Sequence, residues 1–448
     1  MNKIFQAGAG RAVITPEKGI ALAGYFNPRP NTGKLDDLYA RALLLQKGES
    51  RLALVSCDLC FLTPELVADV RARLSRAGLG EWAEHLLLTA THTHTGPYTA
   101  EFFGEPADGK YLDFLGARIA AAVRQALDDL SDAELLKAQS FGNPFAFNRR
   151  YRMKNGRVVT NPGKLNPDIV RPEGPVDEEI GLLAIRKDGK IAAVAANIVN
   201  HTDTTGGNLV SADWPGVMER ALQDECGEKF TVMTLIGCSG NINHVDVGNG
   251  FDQTSAAEAE RIGRGYAAIL AGMIPQLAAV DFVEMTVKWT IEPVAYRTIT
   301  DAMRREAEAT MKRTEGIVSD RDLTSEELAA GDGAVARFFA GQTLEYARQC
   351  SGKARDFELF RVTFGDALAI ATFPGECFTE IGLAVKAGSP AKQTMIATLA
   401  MGECGYVCMP GCFARGGYEI LPVAGGGPAV DTAPRLVKAG LDLLWKRP

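Results

Sequence analysis

The sequence predicts a layered α/β fold, a mixed β-sheet core flanked by helices, and three observations carry that expectation. Short apolar runs suited to buried strands recur at 42–46, 52–56, 86–90, 191–198, 230–236 and 367–373. Stretches of helical period alternate with them, near 63–77, 111–130, 215–225, 255–277 and 380–386. No sequence repeat or low-complexity linker interrupts this alternation, so a single domain over residues 1–448 is expected.

Taken in order, a strand over 11–15 leads to a turn at Gly24-Tyr25, and strands over 42–46 and 52–56 follow. The second of these runs out into Cys57-Asp58, a carboxylate where a buried strand meets a loop. Thr63-Pro64 opens a helix reaching about Ala77, with a hydroxyl to cap it and proline where the missing N–H costs nothing. The apolar run from Leu86 ends in His92-Thr93-His94 and a Gly96-Pro97 break, a strand leaving the core at a cleft. The stretch 301–354 is charged, alanine-rich and helical in period, with a Gly331-Asp332-Gly333 break. It reads as a surface helical excursion, with a lid or dimerisation element as the alternative. The glycines at 416–417 and 425–427 read as loops, since neither makes a Walker pattern.

Composition narrows the function classes. Hydrophobic residues at 46%, charged residues at 23% and a net charge of −7 describe a soluble globular protein with no basic cluster. Nucleic acid and anionic membrane surfaces are therefore poor partners, and a small-molecule substrate is expected. The N-terminus lacks an apolar secretory core and no run approaches ~18 apolar residues, so a cytoplasmic protein without a membrane span is expected. Nine scattered cysteines, an odd number, read as reduced thiols. Cys57-x-x-Cys60 and the spacing of Cys404, Cys408 and Cys412 leave a redox pair or a structural zinc knot as minor alternatives. Homo-oligomerisation stays open.

The chemistry is carried by few residues. The chain has five histidines, and two of them stand at i and i+2. In an extended segment His92 and His94 lie on one side, where one can hold a metal and the other handle protons. His201 follows a second apolar strand, and Glu376 follows a third through Phe373-Pro374-Gly375. Three strands ending in metal-capable side chains suggest convergence on one rim of a sheet. Two histidines and a carboxylate leave a zinc position open for water, which points to a metal hydrolase. His85, ahead of a strand, needs no function.

These blocks, in this order, resemble a known family. Gly-Ala-Gly-Arg-Ala-Val-Ile-Thr-Pro at 8–16, Gly24-Tyr25, Ala-Thr-His-Thr-His-Thr-Gly-Pro at 90–97, Asn148-Arg149, Asn200-His201, Asn-Leu-Val-Ser-Ala-Asp at 208–213, Gly-Asn-Ile-Asn at 240–243, Phe-Pro-Gly-Glu at 373–376 and Gly405-Tyr406-Val407 are similar to the catalytic domain of the neutral ceramidases. The resemblance implies a ceramidase-like catalytic domain with Zn2+ held by His92, His201, Glu376 and Tyr406. It places His94 beside the ion as an oxyanion contact, with Arg149 and Tyr418 lining the site. Arg149 would anchor a polar or anionic substrate group. Asp58 or Asp213 would orient the ligands from behind.

The chain departs from that family where its Gly-Asp-x-Ser block reads Gly240-Asn241-Ile242-Asn243, so the serine is missing and Ser239 does not sit in a nucleophile elbow. Asn243, His244 and Asp246 would then line a remodelled pocket. The length is also short for the family's C-terminal β-sandwich. Together these predict a zinc-dependent hydrolase cleaving a carboxamide bond of a small or medium polar substrate, ceramide not being expected. The alternatives are an ester, lactone or carbamate hydrolase on the same scaffold, and a non-catalytic ligand-binding homologue.

Overall fold

Each of the three large sheets contains the same four-stranded arrangement, and the three arrangements follow one another along the chain. The computed structural model describes residues 4–27, 29–101, 106–317, 325–331, 333–423 and 426–446. Asp332 of the expected Gly-Asp-Gly break and Gly425 of the glycine loop lie outside the described residues.

The first unit comprises β1 (Phe5–Val13), β2 (Tyr39–Lys47), β3 (Ser50–Cys57) and β4 (Leu86–Ala90). β1 and β3 flank β2 antiparallel, and β4 lies parallel to β3 after a crossover through α1 (Pro64–Arg76). Helix α2 (Gly109–Asp128) then packs on β1 and β2. The second unit repeats this with β5 (Glu134–Phe141), β6 (Glu179–Lys187) and β7 (Lys190–Ile198), crosses through α3 (Asp213–Cys226) to parallel β8 (Thr231–Ile236), and continues into α4 (Ala256–Met273).

The third unit starts with β9 (Met285–Ala295) and detours through α5 (Asp301–Arg313) and α6 (Gly333–Gln349) before β10 (Ala354–Phe364) and β11 (Leu368–Thr372). It crosses through α7 (Thr379–Gly388) to parallel β12 (Thr394–Ala397) and later forms α8 (Thr432–Trp445).

The strands are buried because helices cover one face and neighbouring sheets the other. Leu43, Leu44, Leu45, Leu52, Leu54, Leu86, Leu87 and Leu88 are at most 1% exposed. Burying such a leucine stabilises the fold by about 1.5–3 kcal/mol, and truncating one to alanine costs about 2–5 kcal/mol. The Thr63 hydroxyl accepts the backbone N–H of Leu66 at 3.1 Å, as the N-cap reading expects.

The parallel edge strands meet at their C-terminal ends. Thr398 N–H donates to Ile236 at 2.8 Å, Ala90 N–H to Leu399 at 3.2 Å, and Met401 N–H to Leu88 at 3.0 Å. A buried guanidinium braces the same region: Arg41 Nη1 donates to Asp58 at 2.7 Å and Nε to Glu219 at 3.0 Å, joining β2, the end of β3 and α3. The chain ends that build the site therefore come from three sheets, not from one rim. This topology recurs without a sequence repeat because only burial pattern and connection order are shared.

Two further expectations change. The strand expected over 11–15 begins at Phe5, and the helical stretch expected to 354 gives way to β10 at Ala354. Among the described residues, no helix is long and apolar enough to cross a membrane.

Candidate metal centre

Three segments deliver the imidazoles and the carboxylate, each just beyond the end of a strand. β4 stops at Ala90, and His92 then takes φ +67°, a left-handed conformation that costs a non-glycine residue about 1–3 kcal/mol. The His-x-His is thus a bend and not an extended segment. Its backbone is held by His92 N–H donating to Leu59 at 2.8 Å and His94 N–H donating to Thr202 at 3.1 Å. The bend still brings the two rings together.

His201 leaves β7 behind Asn200, whose amide donates to the Tyr266 hydroxyl at 2.9 Å. The His201 carbonyl accepts from the Trp214 indole at 2.8 Å. Glu376 follows β11 and pairs with Tyr406 across a short parallel bridge. Two glycines let the backbone close in. A Cβ on Gly24, at φ +99°, would stand 2.5 Å from the His94 ring, and one on Gly240 would stand 2.3 Å from the Glu376 carbonyl oxygen.

The resulting distances are short. Nε2 of His92 lies 3.1 Å from Nε2 of His201 and 3.3 Å from Nε2 of His94. Oε2 of Glu376 lies 3.3 Å from Nε2 of His92 and 3.6 Å from Nε2 of His201. All three imidazoles are buried, and Glu376 Oε2 is buried with no hydrogen-bond partner. Each ligand ring has its other nitrogen committed: Nδ1 of His92 to the Cys60 carbonyl at 2.7 Å, and Nδ1 of His201 to the Ser239 carbonyl at 3.3 Å. With Nδ1 protonated, both Nε2 lone pairs face the same point as an unpartnered carboxylate oxygen.

A divalent cation fits there. Zinc bonds of ~2.1 Å in tetrahedral array separate ligand atoms by roughly 3.4 Å, the spacing found here. His92, His201 and Glu376 can together hold such an ion. Cys60 also stands near His92 and His94, but burial pushes its thiol up and it faces the committed Nδ1 of His92 at 3.9 Å.

Electrostatics give the same answer. Burial disfavours charge on His92, but Glu376 and Cys60 outweigh it and hold its pKa well above the usual imidazole value. Burial and the neighbouring cations push His94 and His201 well below theirs. Burial opposes charge on Glu376 as well, yet His92, Arg149 and His94 keep it below the ordinary carboxylate value. The pocket stabilises one positive charge in front of Glu376 and rejects a second proton on the rings.

Beside the imidazoles, Arg149 Nη1 stands 3.4 Å from His201 Nε2, and its Nη2 donates to the Gly240 carbonyl at 2.6 Å. Its guanidinium carbon sits 5.3 Å from the Tyr406 ring centroid and 5.4 Å from that of Tyr418. Burial and then Glu376 raise Tyr406 well above the usual phenol value, while a hydrogen bond from Arg149 works the other way. Behind them Glu419 accepts from Arg150 at 2.6 Å and Thr160 at 2.7 Å.

His92, His94, His201, Glu376, Tyr406, Tyr418 and Arg149 are thus gathered in one place. Asn243 and His244 stand a layer away. The Asn243 amide donates to Asn161 at 2.9 Å and its oxygen accepts from Val245 at 3.1 Å, while His244 Nε2 contacts the Gln253 carbonyl at 2.7 Å. Asp246 serves its own loop, accepting from Gly248 and Asn249. Asp58 and Asp213 orient backbone and not imidazole: Asp58 accepts from Tyr39 N–H and Arg41, Asp213 from Thr204 and Thr205. Cys404, Cys408 and Cys412 each face a different acceptor.

Sequence reading passed over Asp203, Arg29 and Glu403. Asp203 stands 3.4 Å from His94 Nδ1 and accepts from the Tyr25 hydroxyl at 2.6 Å. Arg29 Nη2 donates to the His94 carbonyl at 2.5 Å. Glu403, buried and near Glu376, is raised to about 8. Only Asp203 carried a signal, two positions after His201 in Asn-His-Thr-Asp.

No known protein-family profile matches the chain. Over 234 residues it is 27% identical to the neutral ceramidase of Pseudomonas aeruginosa, a match covering 47% of this chain and 32% of that protein. The crystal structure of neutral ceramidase from Pseudomonas aeruginosa superposes with a TM-score of 0.74 at 17% identity, covering 99% of this chain and 74% of the other. A ceramidase complexed with C2 gives 0.73 at 17% identity, covering 99% and 75%. The matched stretch spans about a third of the curated relative's length. The three-unit fold is similar to that of the neutral ceramidase catalytic domain.

Proposed function

We propose that the protein is a zinc-dependent hydrolase that cleaves a carboxamide bond of a small or medium polar substrate. One observation carries this reading. The unpartnered Glu376 oxygen faces the Nε2 atoms of His92 and His201, whose Nδ1 atoms are committed elsewhere. His92, His201, Glu376 and the Tyr406 hydroxyl would hold the ion. When bound, zinc supplies Lewis acidity, polarising a carbonyl and making water more acidic.

The remaining chemistry belongs to the side chains. His94, with Nδ1 on the side of Asp203 and Nε2 toward the cluster, is kept neutral by burial and the neighbouring cations. It accepts a proton at Nε2 as water oxygen adds to the carbonyl carbon. The same proton passes to the amide nitrogen as the C–N bond breaks, giving a carboxylic acid and an amine. Tyr418, held above the usual phenol value chiefly by burial, stays protonated and donates to the carbonyl oxygen as it gains charge. Arg149 keeps its charge beside both phenols and attracts a polar substrate group. Asn243 and His244 would form the outer part of the substrate pocket.

The test joins metal content to turnover. Purified protein is expected to hold about one zinc per chain and to hydrolyse amides in a chelator-sensitive way, with both lost in His92→Ala and Glu376→Ala. Unchanged metal content in those variants removes the proposed site. Faster turnover of matched esters moves the assignment to an ester hydrolase, and metal binding without turnover of either moves it to a binding protein.

A further inference from the structure

The site has an aromatic wall that amide hydrolysis does not require. Phe26 and Phe339 meet Tyr418 beside the imidazole cluster, and Phe338 packs on both phenylalanines. Phe26 lies 4.8 Å from Phe338 and 5.8 Å from Phe339 between ring centroids, both edge-on. It lies 6.4 Å from Tyr418, and Phe339 stacks on Tyr418 at 6.5 Å with a 27° interplanar angle. Tyr418 in turn touches Tyr406 at 5.9 Å. The three phenylalanines are half-buried, so part of their surface stays accessible beyond these contacts.

The topology explains how the wall is placed. In each unit the connection between the first and second strands folds over the cluster. In the first it brings Tyr25, Phe26 and Arg29, in the second Arg149, and in the third α6 with Phe338 and Phe339. Helix α6 is anchored firmly. Tyr346 is fully buried and donates its hydroxyl to the Gly427 carbonyl at 2.7 Å, while Arg337 donates to the Met311 carbonyl at 3.0 Å. The excursion therefore reaches Tyr418 through Phe339 and is not only surface decoration.

We infer that the substrate carries an aromatic ring next to the scissile amide, seated against Phe26, Phe338 and Phe339 while its carbonyl faces His94 and Tyr418. Rings meeting edge-on and in offset stacks offer another ring both of its preferred contacts, whereas a flexible alkyl chain gains only area and loses rotamer freedom. This rests on the amide-hydrolase reading and adds the specificity that α6 imposes.

The experiment compares acetyl, octanoyl and phenylacetyl amides of one polar amine on the zinc-loaded full-length protein. The phenylacetyl compound is expected to exceed the octanoyl one by about 10-fold in kcat/KM, with the gain in KM. Phe338→Ala and Phe339→Ala should each shrink that ratio about 3- to 10-fold. Phe339→Leu, which keeps apolar bulk, should do the same, whereas the remote, exposed Phe114→Ala should leave it intact. Preference for octanoyl, or a ratio indifferent to Phe339, overturns the inference. If no amide is turned over, the functional reading fails by itself, and the pocket is read by calorimetry with phenylacetate. Binding weakened in Phe339→Leu then supports the aromatic seat, and no binding to the parent protein overturns it.

Discussion

The carbonyl oxygen of Cys60 stands 2.7 Å from Nδ1 of His92 and decides which nitrogen of that ring faces the cluster. Since the partner is backbone, no side-chain substitution at residue 60 removes it. The contact instead depends on the loop after β3 keeping its path, and that loop is tied to β2 through Asp58, which accepts from Tyr39 N–H at 2.8 Å.

Metal removal should therefore be felt as a loss of stability. An ion present at a thousand times its dissociation constant adds about 4 kcal/mol to the folded state. Thermal denaturation with and without chelator should show a clear fall in Tm for the parent protein. The difference should vanish in Glu376→Gln and His201→Ala.

Gly24 is the tightest contact to a reacting group. A methyl there meets the His94 ring at 2.5 Å and must also adopt φ +99°. Gly24→Ala should cost about 1–3 kcal/mol in urea denaturation and reduce kcat by about 10-fold or more through displacement of His94. Activity equal to the parent would show that the loop over 23–26 moves aside freely.

The buried guanidinium of Arg41 neutralises Asp58 and Glu219 at once. Arg41→Met leaves Asp58 buried without a cation and Glu219 with Arg11 alone, and should destabilise by about 3–5 kcal/mol in urea denaturation. The double change Arg41→Met with Asp58→Asn should recover part of that loss, because the uncompensated charge goes with it.

Glu173 gives the acid limb a definite sign. Burial raises its pKa, but Arg150 and Arg415 outweigh burial and hold it below the usual 4.5. Its contribution is therefore complete above about pH 4.5 and disappears as pH falls through the lower folded value. In acid titrations of stability, Glu173→Gln should be less stable than the parent at neutral pH. The two curves should converge below that range.

Helices were legible wherever a cap or an apolar stripe marked them. The Thr63-Pro64 start and the amphipathic stretch that became Gly109–Asp128 show this. Strands buried on both faces announced themselves as apolar runs, as at Leu86–Ala90. The strands that escaped notice, Glu134–Phe141, Glu179–Lys187, Met285–Ala295 and Ala354–Phe364, include half-exposed edges and runs interrupted by charge or proline. Pro293 sits within Met285–Ala295, where an edge strand with one open side tolerates it.

In the site, His92, His94, His201 and Glu376 were legible because each follows an apolar run, and histidine is scarce in this chain. What local pattern could not reveal was the company they keep. The Phe339 ring reaches Tyr418 across some eighty positions of sequence, and Arg29 reaches the His94 carbonyl across 65. Both depend on the threefold topology, which leaves no periodic signature in residue identity.

That topology has a bearing on how the protein matures. His92 belongs to the first unit, His201 to the second and Glu376 to the third, so no unit alone presents more than one of these donors to an ion. During synthesis the emerging first and second thirds can bring together His92, His94 and His201, but the carboxylate arrives only with the last. An ion that needs Glu376 would be held only once the last unit is in place, so its loading would mark a chain whose assembly is finished.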